Sequence, residues 1–588
     1  MEAETADRPR PVPRTRAFWI DALLVAFVAA VAGWLIGEAR QWSAPFRASV
    51  EVDLSPSALP GYALRSLARG CAAYVVSFAI TIAYGTWAAR SARAERVLIP
   101  LLDLLQGIPV LGFLPGLVLG MIALFPSTSL GLELACVLMI VTGQAWNMVF
   151  AYYGSVRSVS KELKDIARVH RFTPRQYFGK VELSTSMIPL VWNSMISMAS
   201  GWFFLNVNES FQLEGRDFRL PGLGSYMSVA IERGDGAAQV WAVLAMILMI
   251  LATDQLLWRP LVAWSYNFTV DEASGAPPPR SWVLDLLRRS AFAEWRRRRE
   301  ERRLQPLLAA RPASRLVPPS GGAPDEDAAP SATPRPSALR KILIRAAVLG
   351  AALFGLVGAW RVSELLARVD AAGWIEVLVS VSLTFLRIVG ALAISLAWTL
   401  PVGLWIGSRP RLVKVLSPVV QTAAAFPAPM IFPLVVAALL ALRVDFSWGC
   451  AVLMTLGAQW YLLFNIIAGA ASIPQELRQI ADVYRLGGFA RWRRLELPAI
   501  FPHLVTGLVT AAGGAWNACI VTEYVRLEGG RTLRTRGLGA LLSEATAAGD
   551  FALLAASICG MSLAIVALNR FLWKRLYTLA ETRYGLAA

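Results

Sequence analysis

The sequence predicts an all-α integral membrane protein with twelve transmembrane helices, laid out as two parallel six-helix repeats. Composition is the first reason: of 588 residues 56% are hydrophobic and 16% charged, with 21 Trp and a mean hydropathy of +0.51, far outside soluble averages. Apolar runs near the roughly 20 residues a spanning helix needs are the second. The third is internal repetition. At an offset of 318, Arg69 matches Arg387, Gly85 matches Gly403, and Pro100, Pro109 and Pro115 match Pro418, Pro427 and Pro433. At 314, Gly143, Trp146, Trp202 and Glu209 match Gly457, Trp460, Trp516 and Glu523.

In chain order, residues 1–17 are a Pro/Arg-rich tail predicted to be cytoplasmic. The run Phe18–Gly37 is longer than a signal-peptide core and lacks a small-residue cleavage site, so it is expected to be an uncleaved first span. Runs at Tyr62–Ala89, Val97–Phe125, Leu130–Tyr152, Met187–Asn208 and Ala237–Trp258 complete a first repeat over 18–258. Arg90, Arg93 and Arg96, and the basic stretch Lys161 to Lys180, mark two loops as cytoplasmic, although Arg216, Arg219 and Arg233 fall in loops on the other side. Residues 259–338, with Arg296 to Arg303 and a Pro/Ala/Ser-rich tract, build no core and read as a cytoplasmic linker. Within it Trp282–Leu304 is either a basic amphipathic helix or part of a solvated tether. The second repeat, 339–588, has runs at Ile342–Trp360, Trp374–Ile406, Val413–Leu442, Phe446–Gly469, Ile500–Tyr524 and Phe551–Trp573, and returns the C-terminus to the cytoplasm. An even number of spans per repeat gives both the same orientation, so each supplies one wall of a path between them.

The net charge of +17 would suggest nucleic acid in a soluble protein; here the basic residues sit in loops between apolar runs and read as membrane anchoring, with the bilayer as partner. Five cysteines in apolar runs have no metal-ligand spacing, which predicts neither disulfide nor metal. With two histidines, neither in a nucleophile-type motif, no catalytic set is visible, and no G-x-x-x-x-G-K-[ST] loop is present.

The most informative stretch occurs twice: Glu162 to Leu183, ELKDIARVHRFTPRQYFGKVEL, and Glu476 to Leu497, ELRQIADVYRLGGFARWRRLEL. In each, Leu163/Leu477, Ile166/Ile480, Ala167/Ala481 and His170/Tyr484 share one face of a short helix. Before the second copy, Ser472 reads as an N-cap, Pro474 as a first-turn proline and Gln475 as the capping-box residue. Such a helix either rests on lipid headgroups or docks into a partner.

These stretches resemble the cytoplasmic coupling loop of ABC importer permeases, whose pattern is EAA, three residues, Gly, nine residues, an aliphatic, one residue and Leu-Pro. Gln479-Ile480-Ala481, Arg485, Leu495 and Leu497-Pro498 keep that spacing, as do Asp165-Ile166-Ala167, Arg171, Val181 and Leu183-Ser184. The resemblance is closest to duplicated anion-type permeases similar to nitrate, sulfonate and taurine permeases, and covers both repeats but not the linker. It implies a type I importer fold in a bacterial inner membrane, two separate ABC ATPase subunits that hold ATP and Mg, and an extracytoplasmic substrate-binding protein. Glu162, Asp165, Ile166, Ala167 and Arg171, with Glu476, Gln479, Ile480, Ala481 and Arg485, are then the ATPase-coupling residues. The family's Glu is Asp165 in one copy and Gln479 in the other; Glu162 and Glu476, three residues earlier, lie near the same face. Its Gly is Arg171 and Arg485, so the break between the two loop helices is expected later in the second copy, at Gly487-Gly488.

Ionisable and aromatic residues inside spans are candidates for the substrate path: Arg69, Arg387, Trp202, Trp516, Glu209 and Glu523. Paired arginines facing a cavity would suit an anion; the alternatives are snorkelling, or pairing with Glu209 and Glu523. Pro109/Pro427 and Pro115/Pro433 are expected to break or kink the third span of each repeat. A secondary transporter with two six-helix halves shares the topology, though it has no use for a thirty-residue loop after the fourth span; a membrane enzyme or scaffold is the third reading.

Overall fold

The computed structural model describes residues 50–107, 110–213, 216–268, 281–290, 355–527 and 531–584, with single positions at 22, 37, 42, 45, 295, 299, 350 and 353. The predicted first span, most of the seventh (Ile342–Trp360) and most of the linker lie outside the described residues. Of Trp282–Leu304, the described helix is Trp282–Arg288, capped by Ser281.

Among the described residues, eight helices are long and apolar enough to cross a membrane, and a bent pair makes a ninth if it is one span. In the first repeat these are Pro56–Arg90, Leu130–Arg157, Pro174–Asn208 and Gly236–Phe268; in the second, Ala371–Gly407, Phe446–Ala471, Gly488–Thr522 and Phe551–Ala580. Each matches a predicted apolar run. The predicted third spans differ: Pro410–Ala425 and Ala428–Ala441 meet at 81°, where Phe426 and Pro427 interrupt the backbone ladder. In the first repeat Ala92–Gly107 gives way to Val110–Leu124 at the same place; Pro109 itself lies outside the described residues.

Helix starts follow local chemistry. Asp370 accepts from Gly373 N, Asp445 from Ser447 N and Asp550 from Leu553 N, each satisfying a donor that the first turn leaves open. A turn of π-helix recurs at equivalent places, Phe178–Glu182 with Trp492–Glu496 and Asp254–Trp258 with Asn569–Trp573. The repetition thus extends to backbone irregularities. Small residues let helices approach closely: a Cβ on Gly85 would lie 2.6 Å from Tyr152, and one on Gly403 2.6 Å from Ile466.

Not everything is helical. The strands β1 (Ser210–Leu213) and β2 (Arg216–Arg219) form one antiparallel hairpin, and β3 (Tyr524–Arg526) and β4 (Thr532–Arg534) another, each after the fifth predicted span of its repeat. Phe211 and Phe218 stack at 5.3 Å across the first.

By internal contacts the chain divides into two units. One holds residues 1–41, 154–192 and 252–349, the other 42–153, 193–251 and 350–588. The core of the first repeated loop, Val159, Ala167 and Val181 with Leu163, Phe172 and Tyr177 against them, belongs to the former. The latter holds both hairpins, the second loop, and an extended core in which Ala391, Ala458, Leu462, Ile466, Ala511 and Ala515 are buried.

Candidate functional site

The two repeated loops each contain a nine-residue helix, α1 (Lys161–Val169) and α2 (Gln475–Val483). Ser160 caps α1 by accepting from Leu163 N. The predicted cap of α2 is not found: Ser472 ends the preceding helix and donates to Gly469 O, and Pro474 stands at the N-cap, where it offers no side-chain acceptor. The long span simply runs farther than its apolar pattern does.

Both helices end alike. Phe172 N donates to Ala167 O (2.9 Å) and Arg171 N to Arg168 O (3.0 Å); Leu486 N donates to Ala481 O (2.8 Å) and Arg485 N to Asp482 O (3.0 Å). This 6→1 and 5→2 pair is a Schellman stop, which needs a left-handed residue one position past the cap. Arg171 (φ 48°) and Arg485 (φ 51°) supply it. The break therefore falls at the motif's glycine position even though arginine stands there; in the second copy Gly488, at φ 52°, adds another bend. A non-glycine residue held there loses about 1 kcal/mol. Arg171→Gly and Arg485→Gly are accordingly expected to raise stability by about 1 kcal/mol each, read as higher thermal midpoints of the detergent-solubilised chain.

The predicted shared face divides. Leu163 and Ala167 pack inward in the first copy, and in the second Ala481 is buried and Leu477 lies against the main core. Outward stand Ile166 and Ile480, 50% and 51% exposed, with Val169 and Val483 at 79% and 80%. The valines were not singled out from sequence, although they recur at the same offset of 314. Glu162, Asp165, Glu476 and Gln479 are exposed beside them, as are His170 and Tyr484 at the helix ends. Asp165 pairs with Arg168 at 3.2 Å. Arg478 ties α2 to its own repeat, donating to Ser408 O (3.1 Å) and Ala470 O (2.6 Å).

Arg69 and Arg387 are buried in polar clusters built on the same plan. Arg69 Nη1 donates to Glu209 Oε1 (2.8 Å) and Pro221 O (2.9 Å), while Nε and Nη2 fork onto Glu133 (2.5 and 2.7 Å). Arg387 Nη1 donates to Glu523 Oε1 (2.8 Å), and Nη2 to Arg536 O (3.0 Å) and Thr535 Oγ1 (2.9 Å). Where the first repeat has Glu133 the second has Ser447, whose carbonyl accepts from Arg387 Nε at 2.9 Å. One cation thus faces two carboxylates in the first cluster and one in the second. The second carboxylate oxygen of each pair accepts from a helix N-terminus, Gly224 N to Glu209 (2.7 Å) and Gly539 N to Glu523 (2.8 Å). Ser66 and Thr384 bridge carboxylate and backbone in the two copies.

The sequence signal for this arrangement is Gly222-Leu223-Gly224, which recurs as Gly537-Leu538-Gly539. A Cβ on Gly222 would sit inside the Glu209 carboxylate, and one on Gly537 would lie 2.6 Å from Arg387 Nη1. Gly222→Ala is therefore expected to cost about 1–3 kcal/mol, measured as a lowered unfolding midpoint. Trp202 is buried too, packed where a Cβ on Gly70 would meet it at 2.8 Å.

A cavity of about 530 Å³ lies between the two repeats. Of the six path candidates, only Trp516 lines it. The predicted third spans of both repeats reach it, through Gln106 and Val110 in the first and Phe426 and Ala428 in the second, and Trp146 and Trp460 line it from equivalent helices. Val110 N donates to Asn517 Oδ1 (3.2 Å), and the Ser200 and Tyr461 hydroxyls lie 3.2 Å apart, so polar contacts join the repeats at its rim. Among the described residues no Asp, Glu, Lys, Arg or His lines it. Gln144 and Gln459 instead bond between helices, to Ser77 and Trp398.

The comparisons agree with this duplicated architecture. Residues 77–255 and again 399–582 match the family described as binding-protein-dependent transport system inner membrane component. The bicarbonate transport system permease protein CmpB of Synechocystis sp. is 32% identical over 125 residues, 21% of this chain and 42% of that protein. The nitrate import permease protein NrtB of Leptolyngbya laminosa is 27% identical over 123 residues, 21% of this chain and 43% of that protein. Each alignment spans less than half of the relative's length. The family match, in contrast, covers most of the chain and occurs once in each repeat. The chain belongs to the binding-protein-dependent transport system inner membrane component family and is a multi-pass permease in which that family's domain is fused to a second copy of itself.

Proposed function

We propose that this chain is the whole transmembrane part of an ATP-driven importer for a small anion. Its repeats, 18–258 and 339–588, act as a fused pseudo-dimer of twelve helices joined by the cytoplasmic linker 259–338, with both termini cytoplasmic. The observation that carries the reading is the pair of exposed loop helices. Each presents a bare Ile-Val pair at the same positions, and each ends in the same left-handed stop. A helix resting on lipid needs no match with its counterpart; two helices gripped by equivalent motor subunits do. Two ABC ATPase subunits take Ile166/Val169 and Ile480/Val483 into grooves, with Glu162, Asp165, Glu476 and Gln479 at the rims. ATP and Mg reside on those subunits, and an extracytoplasmic binding protein delivers the solute. Nitrate and bicarbonate permeases among the relatives support an anion.

ATP-driven closure of the motor would rock the repeats and reshape the cavity between them. We assign Arg69, Glu209, Arg387 and Glu523 a structural part in this motion, since their ion pairs keep the hairpin end of each repeat rigid. Co-expression with the ATPase, followed by affinity purification and an ATP hydrolysis assay, tests the reading. A complex whose hydrolysis rises with solute-loaded binding protein is expected. Uptake driven by a proton or sodium gradient in a strain lacking the ATPase would favour a secondary carrier instead.

A further inference from the structure

We infer that the solute carried through this cavity is an organic anion with a flat apolar body and a single charge, not a bare inorganic oxyanion. The inference rests on the permease reading and narrows its substrate class. Size is the first argument: about 530 Å³ falls within the roughly 300–1,000 Å³ of sites that enclose organic ligands, and greatly exceeds what an oxyanion of a few atoms fills.

The wall is the second argument. Aromatic rings face the cavity from both repeats, among them Trp146, Phe203, Trp460 and Trp516. Flat rings gain from stacking on such surfaces, whereas a compact hydrated anion gains nothing there. Charge is the third. Among the described residues no cationic side chain lines the space, and Arg69 and Arg387 are held by Glu133, Glu209 and Glu523 instead. Desolvation cost grows with the square of an ion's charge, so a dianion without a counter-charge is rejected most strongly. A single charged or polar end is still accommodated. Gln106 and Asn147 line the cavity with amides that have no hydrogen-bond partner among the described residues, and each can donate to one oxyanion group.

The test uses the full-length chain in lipid nanodiscs, with sodium benzenesulfonate, nitrate and sulfate titrated by calorimetry and tryptophan fluorescence. Benzenesulfonate is expected to bind saturably and about tenfold more tightly than nitrate, with sulfate weakest. Gly513 lines the cavity and a Cβ there meets nothing within 4 Å, so Gly513→Phe fills the space without disturbing the helix. It should weaken benzenesulfonate about tenfold or more, and Asn147→Leu should weaken it to a lesser degree. Nitrate or sulfate binding as tightly as benzenesulfonate, or wild-type binding by Gly513→Phe, would overturn the inference. A chain that associates with its ATPase yet ignores benzenesulfonate loses the solute class and keeps the permease reading. One that binds benzenesulfonate but no ATPase keeps the solute class and loses the permease reading.

Discussion

Val169→Asp combined with Val483→Asp is expected to abolish ATPase association while leaving the chain folded and inserted. Both valines are about four-fifths exposed, so the folded chain gives up almost no packing when they change. Inside a partner's groove the balance reverses. A buried valine contributes about 1.5–3 kcal/mol, and an aspartate in its place adds the cost of an unpaired charge. Either substitution alone should weaken association more than about tenfold. Co-purification of the ATPase and solute-stimulated ATP hydrolysis are the readouts, with Val→Ala at each position as the milder control. Wild-type coupling in the double variant would mean that the exposed faces serve the bilayer.

Arg69→Met is expected to be the most destabilising single substitution in the first repeat, and worse than Arg387→Met in the second. Removing either arginine strands buried carboxylate charge, at a cost of about 3–5 kcal/mol. The first cluster holds Glu133 and Glu209, both almost fully buried, where the second holds Glu523 alone. Two carboxylates left together repel as well as desolvate, so the larger loss belongs to Arg69. Arg69→Met with Glu133→Gln should then recover toward the Arg387→Met level. Thermal unfolding of the purified chain, followed by size-exclusion fluorescence, reads all three. Equal midpoints for Arg69→Met and Arg387→Met would show that the additional carboxylate of Glu133 does not add to the loss.

Much of this was legible in the sequence. The apolar runs and fixed offsets placed the long helices, and Pro427 marked where the third span of the second repeat breaks; Pro115 and Pro433 sit instead in the first turn of the helix that follows. The loop helices were legible from spacing, but not how they end. Arginine at 171 and 485 removes the usual glycine cue, yet the backbone still turns left-handed, because two capping hydrogen bonds and the burial of Ala167 and Ala481 outweigh about 1 kcal/mol of strain. Their shared face was read as one stripe, whereas Leu163 and Ile166 point to different surroundings; periodicity locates a face but not what covers it. Pairing of Arg69 with Glu209 and of Arg387 with Glu523 was among the alternatives the sequence offered; the second carboxylate on Arg69 was beyond reach, since Glu133 lies 64 residues away and has no acidic counterpart at Ser447. The hairpins escaped notice because strands of three or four residues leave almost no alternation to read. The cavity has no sequence signature at all, being assembled from residues scattered from Gln106 to Tyr577.

The central claim is that one fused chain supplies both handles of a two-stroke motor. Native mass spectrometry of the complex purified from co-expressing cells addresses it most directly. The account predicts one copy of this chain with two ATPase subunits, falling to one ATPase when either Val169→Asp or Val483→Asp is introduced. A complex holding two copies of this chain, or no nucleotide-hydrolysing subunit, would contradict it.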